Sequence, residues 1–541
     1  MDITKAKRGR GWTAARTAAS AALAFSLWAG AAAAREAVLT VLHTTDLHGA
    51  FLRGEDGREG NAGGLAECAA IIRKARAENP CCLVLDGGDF AQGTASSLRS
   101  KGLLMARALG AVGYDAVALG NHEFDWGVDA AGAMAEALEP PLLAANLKVG
   151  PGAPPGFQKV KPFIVKDVEG VRVAVVGLTT PNLPNWFRDF RASGLDTESS
   201  IPALERILPE VKAAEPDVIV VLAHQGLLVK DDESNEINAI GATFPEIDLL
   251  LGGHLHWVQP GALVGSVDYA QSGSGGRGVT RVDLTVDTVA KKVTAKRFRH
   301  LPVTADTPAD GTVAAMARAD CEAAEAELAK PLGHAPRPLA ATQAGGGLSP
   351  VQQLLARAIR NATGAEAVMQ GVSAAARIPA GEVSVRDAWR VVPYENRVGV
   401  LHLTPAELRL AMEEDMAFWG TDRYVPVSGI GYDLFPNAPE GERVRNLRWP
   451  DGRPIHGRQR IAVAASSYLL AGGGGRFPRL AGLAGLPGSR LEWAPKTLRD
   501  MLADEIKRTG TLEIPPGDGI RVHSRERRPW ERVENFEGGL E

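Results

Sequence analysis

The sequence predicts two α/β regions joined by a helix. Three observations carry that prediction. The chain has 541 residues, too many for one hydrophobic core. From Ala37 to about Val286, short β-rich runs alternate with helical patterns. The Ala- and Glu-rich segment Thr312–Lys330 then stops at Pro331 and Gly333, and His334-Ala335-Pro336-Arg337-Pro338 follows, a composition typical of a domain boundary.

The first residues read as a targeting segment. Lys5, Lys7, Arg8, Arg10 and Arg16 form a basic region ahead of the apolar stretch Ala18–Gly30, and small residues precede Arg35. Residues 1–34 are therefore expected to be a cleaved signal peptide, which places the mature chain in a periplasm or outside the cell. The apolar run is short for a membrane anchor, and Gly9 separates Arg8 from Arg10 where a twin-arginine signal has a pair.

Six runs then read as strands: Ala37–His43, Cys82–Asp86, Ala116–Leu119, Val171–Leu178, Val218–Ala223 and Ile247–Gly252. Helical patterns at Leu65–Ala77, Leu98–Val112 and Ile201–Ala214 separate them. The alternation argues for a buried, largely parallel sheet with helices on its faces. Past the linker, Ser349-Pro350 sets the cap and first turn of a helix over Val351–Ala362, the opening of a second α/β region that runs to about His523. Residues 524–541 read as a charged tail. The expected boundaries are 35–310 for the first domain, 311–340 for the linker helix and hinge, and 341–523 for the second domain.

Lys and Arg total 60 against 64 Asp and Glu, a net charge of −4, which argues against a nucleic-acid polymer as partner. Cys68, Cys81, Cys82 and Cys321 match no disulfide framework, although a bridge from Cys68 to Cys81 or Cys82 stays open.

The chemistry lies in the loops after the strands, where open α/β sheets place their sites. These loops carry Asp46 and His48, then Asp89, then Asn121 with His122, Glu123 and Asp125, then His224, and finally His254 and His256. Each pair alone is a weak signal. Together, carboxylates, an amide and imidazoles at the strand ends of one expected sheet form a mixed nitrogen and oxygen donor set. That set suits Zn, Mn, Fe or Co, and the lack of a nearby thiolate argues against a structural zinc. Two such ions side by side lower the pKa of a water and neutralise phosphoryl oxygens.

In this order, His43-Thr44-Thr45-Asp46-Leu47-His48-Gly49, Gly87-Gly88-Asp89, Gly120-Asn121-His122-Glu123-Phe124-Asp125 and Gly253-His254-Leu255-His256 resemble the calcineurin-like metallophosphoesterases. More narrowly, they resemble the bacterial 5′-nucleotidase, UDP-sugar hydrolase and 2′,3′-cyclic-nucleotide phosphodiesterase family. The resemblance implies an α/β fold: an N-terminal β-sandwich flanked by helices, a linker helix and a smaller α/β C-terminal substrate-binding domain. It implies that Asp46, His48, Asp89 and His256 hold one divalent cation and that Asp89, Asn121, His224 and His254 hold a second, with Asp89 bridging. It makes His122, oriented by Asp125, the group that stabilises the departing oxygen, and leaves Glu123 in a supporting role. It implies a small phosphate ester, a nucleotide, as substrate.

In the second region the resemblance is looser. Val391-Val392-Pro393-Tyr394-Glu395-Asn396 stands where the family has a Pro-aromatic-x-Asn turn, and Tyr424 and Tyr468 stand near its base-stacking aromatics. The family's Gly-Gly-Gly-Ile-Arg segment is replaced by Gly371-Val372-Ser373-Ala374-Ala375-Ala376-Arg377, which makes Arg377 the candidate anion contact. In the glycine loop, Gly475 stands where a ribose-binding Asp is usual and Arg476 replaces the next glycine, so Arg476 is a candidate for another anionic group.

The expected function is exported phosphoester hydrolysis on nucleotides of the 5′-nucleotidase type. Its alternatives are the cyclic-nucleotide phosphodiesterase and 3′-nucleotidase branch, and a thiosulfate-handling relative. A catalytically dead binding module would show lost ligands, and none is lost.

Overall fold

Strands that read as near-continuous apolar runs need cover on both faces, and this requirement dictates the architecture. The computed structural model describes residues 36–54, 63–187, 189–341, 347–373, 376–421, 423–457, 459–473, 476–486, 489–514 and 519–523. The signal-like segment and the charged tail lie outside them. The first region contains β1 (Glu36–Thr44), β2 (Cys82–Asp86), β3 (Ala116–Ala118), β4 (Leu142–Leu143), β5 (Leu147–Val149), β6 (Phe163–Val168), β7 (Val171–Leu178), β8 (Leu195–Thr197), β9 (Val218–Ala223), β10 (Leu249–Gly252), β11 (Val258–Val264), β12 (Val267–Ser272), β13 (Gly278–Asp287) and β14 (Lys292–Pro302).

The single, largely parallel sheet that the alternation suggests is in fact two mixed sheets, the sandwich that the family resemblance implies. One runs β14-β13-β1-β2-β3-β4 and the other β11-β12-β10-β9-β7-β6. β1 to β4 are parallel in the first, and β7, β9, β10 and β12 are parallel in the second. Antiparallel hairpins close the edges, β13 with β14 and β6 with β7. Strand–helix alternation reports chain order but not which strands share hydrogen bonds, so it does not distinguish one sheet from two.

The two sheets face each other across a dry core of Val41, Leu83, Leu85, Val175, Val220 and Leu251. Neighbours along the same strands point outward, as a period of two requires. Leu42 and Val84 meet Ile72 and Leu109 from helices Leu65–Glu78 and Leu103–Val112. Val176 and Val221 meet Leu204 and Ile207 from helix Ser200–Ala213. The result is a β-sandwich with a helical layer on each side.

The helix expected over Leu98–Val112 is two helices, Ala95–Ser100 and Leu103–Val112. Lys101 (φ 47°) and Gly102 (φ 78°) take left-handed conformations that end the first. Helix Gly311–Leu328 is capped by Asp310, whose side chain accepts from Thr312 and Val313 N–H. Its Ala324 and Leu328 pack with Ala95 of the first region and Trp389 of the second, so it is glued to both.

The second region holds a five-stranded sheet in the order Val427–Ser428, Ala367–Met369, Ile461–Ser466, Arg397–Leu403, Leu491–Thr497. Helix Pro350–Thr363 has the expected cap: Ser349 Oγ accepts from Gln352 N–H at 3.2 Å, and Gln352 Oε1 accepts from Ser349 N–H at 2.9 Å. The four cysteines are free thiols, three of them buried, so no bridge joins Cys68 to Cys81 or Cys82. No helix among the described residues is long and apolar enough to cross a membrane.

Candidate metal centre

The loops after β1 and β2 are braided. Asp46 N–H donates to Gly88 O at 2.8 Å, His48 N–H to Asp89 O at 2.9 Å, and Gly49 N–H to Phe90 O at 2.8 Å. Leu47 and Phe90, both buried, anchor this braid in the core. Gly120 packs against it so closely that a Cβ there would lie 2.2 Å from Asp89 Oδ1. The braid brings the carboxylates of Asp46 and Asp89 to one rim of the sandwich, and loops from the facing sheet bring His224, His254 and His256 to meet them.

Two ligand clusters result. Asp46, His48 and His256 form one, and Asp89, His224 and His254 form the other. The Nε2 atoms of His48 and His256 are 2.8 Å apart, and Asp46 Oδ1 is 3.5 Å from His256 Nε2. Asp89 Oδ2 is 3.0 Å from His224 Nε2, and Asn121 Oδ1 is 3.2 Å from the same nitrogen. A third grouping of His48, Asp89 and His122 links the two clusters through Asp89.

The ring nitrogens facing away from the clusters are held. His48 Nδ1 lies 2.7 Å from Gln92 O, and His224 Nδ1 lies 2.7 Å from Gly87 O. A donor bond there leaves each Nε2 lone pair for a cation. His254 Nδ1 is buried without a hydrogen-bond partner, and Asp89 Oδ2 has only the His224 ring nitrogen beside it. Buried acceptors of this kind, in a mixed nitrogen and oxygen set, fit divalent cations of intermediate softness.

Strain points the same way. Asp46 (φ 53°), His48 (φ 50°), Asp89 (φ 55°), His254 (φ 70°) and His256 (φ 61°) all occupy the left-handed region. For residues other than glycine that region is sparsely populated, and such residues gather at functional sites.

Electrostatics sorts the imidazoles. Burial, aided by the neighbouring His224, pushes His254 down to about 3, and burial with His256 and His122 holds His48 well below its usual value. Both are neutral, as ligation requires. Burial opposes ionisation of Asp89, but His224, His122 and His48 outweigh it and hold the carboxyl well below the carboxylate range. His122 is the opposite case. Burial works against its charge, yet Asp125, then Asp89, raise it to about 10. His122 Nδ1 is 2.8 Å from Asp125 Oδ2, which fixes the proton on that nitrogen and turns Nε2 toward the site as a second donor.

Two aromatic partners were not legible as such. Tyr394, in the turn at 393–396, stacks on His122 with centroids 5.6 Å apart, and Trp186 stacks on His254 at the same separation. The Pro393-Tyr394 turn was visible in the sequence but not its reach into the first region, and nothing singles out Trp186. Gln92 Nε2 donates to Pro393 O at 3.2 Å beside this contact.

Glu123 ties loops together. Its carboxylate accepts from Asp89 N–H (3.1 Å), Ala91 N–H (3.2 Å) and Gly120 N–H (2.9 Å). Replacing it by Ala would orphan these buried donors, each costing about 1–3 kcal/mol. Glu123→Ala is therefore expected to lower the urea midpoint of unfolding and to weaken metal retention. Equal midpoints for variant and parent would remove this role.

The candidates in the second region separate. Tyr468, 50% exposed, and Arg476 line a cavity of about 220 Å³ together with Tyr394. Tyr424 and Arg377 do not line it. Tyr424 packs edge-on against Trp419 at 4.9 Å, and Arg377, itself exposed, pairs with Ala340 in a short ladder.

A helix-flanked sandwich that gathers these carboxylates, imidazoles and an amide at one rim defines the class as metallophosphoesterase, an enzyme family built around divalent metal ions. A model of the calcineurin-like phosphoesterases matches residues 39–258, and a model of the 5′-nucleotidase C-terminal domain matches residues 327–482. The chain belongs to the calcineurin-like phosphoesterases that carry a 5′-nucleotidase C-terminal domain. It is 33% identical to rat 5′-nucleotidase over 224 residues, 40% of this chain and 37% of that protein. The chain spans only 37% to 42% of the length of the first curated relatives it matches. Among solved structures, a 5′-nucleotidase precursor from Thermus thermophilus superposes with a TM-score of 0.69 at 22% identity, covering 90% of this chain and 99% of that one. The sulfate thiohydrolase SoxB of the same organism superposes with 0.64 at 22% identity, covering 91% and 97%. One fold thus houses a nucleotidase and a thiohydrolase, and the substrate has to be argued from the site.

Proposed function

We propose that this chain is an exported, dinuclear metal-dependent phosphoesterase that hydrolyses nucleotides in the manner of a 5′-nucleotidase. The observation that carries the reading is the pair of ligand clusters linked through Asp89, with His122 beside both. Asp46, His48 and His256 would hold one cation, and Asn121, His224 and His254 the other, with Asp89 shared. Zn, Mn, Fe or Co suits the donors. When bound, the two ions would activate a water and neutralise phosphoryl oxygens.

The chain's own residues do the rest. His122 Nε2–H would donate to the phosphoryl group and to the departing oxygen, where negative charge grows. Asp125 keeps that ring oriented and protonated. Glu123 and Gly120 hold the Asp89 loop in register. Tyr394 brings the second region to the edge of the site, and this supports a substrate that spans both regions. The basic and apolar residues ahead of Arg35 support export.

A substrate panel tests the reading: AMP, 3′-AMP, 2′,3′-cyclic AMP, UDP-glucose and an aryl phosphate, each with added Mn or Zn. AMP is expected to give the highest kcat/KM, and a chelator to abolish turnover. Preference for the cyclic or 3′ ester would move the chain to the phosphodiesterase branch, and no turnover of any ester would refute hydrolysis.

A further inference from the structure

The cavity that shares Tyr394 with the metal site carries charge of one sign. It is lined by Gln370, Tyr394, Arg423, Ser466, Tyr468 and Arg476 among other residues, and its charged side chains are the two arginines. Both guanidinium groups lie over the ring of Phe418, 4.4 Å from its centroid for Arg423 and 4.8 Å for Arg476. One buried carboxylate, Asp415, pairs with Arg476 from behind the wall. Among the described residues, no carboxylate pairs with Arg423. The Arg476 side chain is only 10% exposed, and its Nε is buried without a hydrogen-bond partner.

Among the described residues, two cations on one ring share one counter-charge, Asp415, which leaves a net positive wall. A neutral group in the cavity would leave that charge uncompensated and the Arg476 donor unmet, both costly in a partly dry site. An anion would meet both, and guanidinium is the group best suited to carboxylate and phosphate oxygens.

We propose that this cavity binds a second anionic group, a carboxylate or a phosphate, at the far end of the substrate whose phosphoryl group sits at the metal centre. The substrate class is then a phosphate ester with an anionic tail. Among nucleotides, one bearing an additional charged group is favoured over a plain monophosphate. This inference rests on the phosphoesterase reading, because the metal centre supplies the other anchor.

The test compares alkyl phosphates with ω-carboxyalkyl phosphates and with alkane α,ω-bisphosphates, matched in length over short, medium and long chains. For at least one length the anionic tail is expected to raise kcat/KM about 10- to 100-fold, chiefly through KM, as a charged hydrogen bond of ordinary strength would. The two anionic series distinguish carboxylate from phosphate. Arg423→Gln should collapse the ratio of tailed to untailed substrates toward one. Arg423 is chosen because Arg476 also holds Asp415, so its removal endangers the fold. A wild-type ratio of one at every length overturns the proposal while leaving phosphoester hydrolysis intact, and so does a ratio unchanged in Arg423→Gln. If no ester is turned over, the phosphoesterase reading fails. Calorimetry with the matched, non-hydrolysable phosphonates then decides the cavity alone: tighter binding of the tailed series, lost in Arg423→Gln, supports it, and equal binding overturns it.

Discussion

Asp89→Asn is expected to strip the protein of both cations and to reduce turnover by at least about a thousandfold. The loss follows from where this carboxylate sits. Asp89 is fully buried, and its Oδ1 accepts from His122 N–H at 2.7 Å. Its Oδ2 faces His224 Nε2 at 3.0 Å, and Asp89 belongs to two of the possible metal groupings, one with His224 and His254 and one with His48 and His122. An amide keeps the shape but replaces one anionic oxygen with an NH₂ that repels a cation. Losing the shared anion removes several kcal/mol of charge stabilisation, and each 1.4 kcal/mol is about tenfold in rate. The same substitution removes the buried anion that faces His224 and His122, so the metal-free variant should also unfold more easily than the metal-free parent. Elemental analysis, initial rates and urea titrations on both proteins separate these effects. A variant that keeps two metals per chain and parental turnover would end the bridging role.

The contrast between bound and metal-free protein exposes what the fold does. Asp46, His48, Asp89, His254 and His256 sit in a backbone region that costs a side-chain-bearing residue about 1–2 kcal/mol. His48 and His256 bring ring nitrogens to 2.8 Å, and His254 keeps a buried ring nitrogen unpartnered. These are local losses that the surrounding sandwich holds in place, with Leu47, Phe90 and Glu123 clamping the loops. A preformed but strained ligand set gains from a cation what it lacks without one.

The sequence made this set visible because ligand identity is a matter of residue type and of position after a strand. Asp46, Asp89, Asn121 and His224 each follow an apolar run that could only be a buried strand. What it hid depends on pairing and reach. Strands β13 and β14 are not among the six runs read as strands, because alternate residues of β13 are only partly buried and much of β14 is exposed, which dilutes the apolar signal. The left-handed backbone at the ligands was hidden because only glycine advertises that conformation. Tyr394 was legible as part of a turn, but its contact with His122 crosses more than two hundred residues of sequence. Tyr424 and Arg377 stand apart from the cavity that Tyr468 and Arg476 line. The Tyr424 side chain packs against a core, and Arg377 lies on the exposed side of a two-residue ladder.

His122→Ala is expected to leave the metal content unchanged and to cut turnover by about 10²–10⁴, the range for a lost general acid. In the structure, Nδ1 of this ring is committed to Asp125 at 2.8 Å, and the same carboxylate raises its pKa to about 10 against the pull of burial. A ring so held is a donor at neutral pH, and its contribution would fall on leaving groups that need a proton. The effect should therefore be large for an alkyl leaving group such as the ribose oxygen of AMP. It should shrink for an aryl phosphate with an acidic phenol, which departs without help. Asp125→Asn should reproduce part of the loss, because the amide keeps an oxygen near Nδ1 but gives up the charge that holds the ring protonated. Comparing AMP with p-nitrophenyl phosphate across the three proteins separates proton donation from simple disruption. Equal losses on both substrates would mean that His122 positions the phosphoryl group and does not protonate the leaving oxygen, and unchanged turnover on both would remove it from the chemistry altogether.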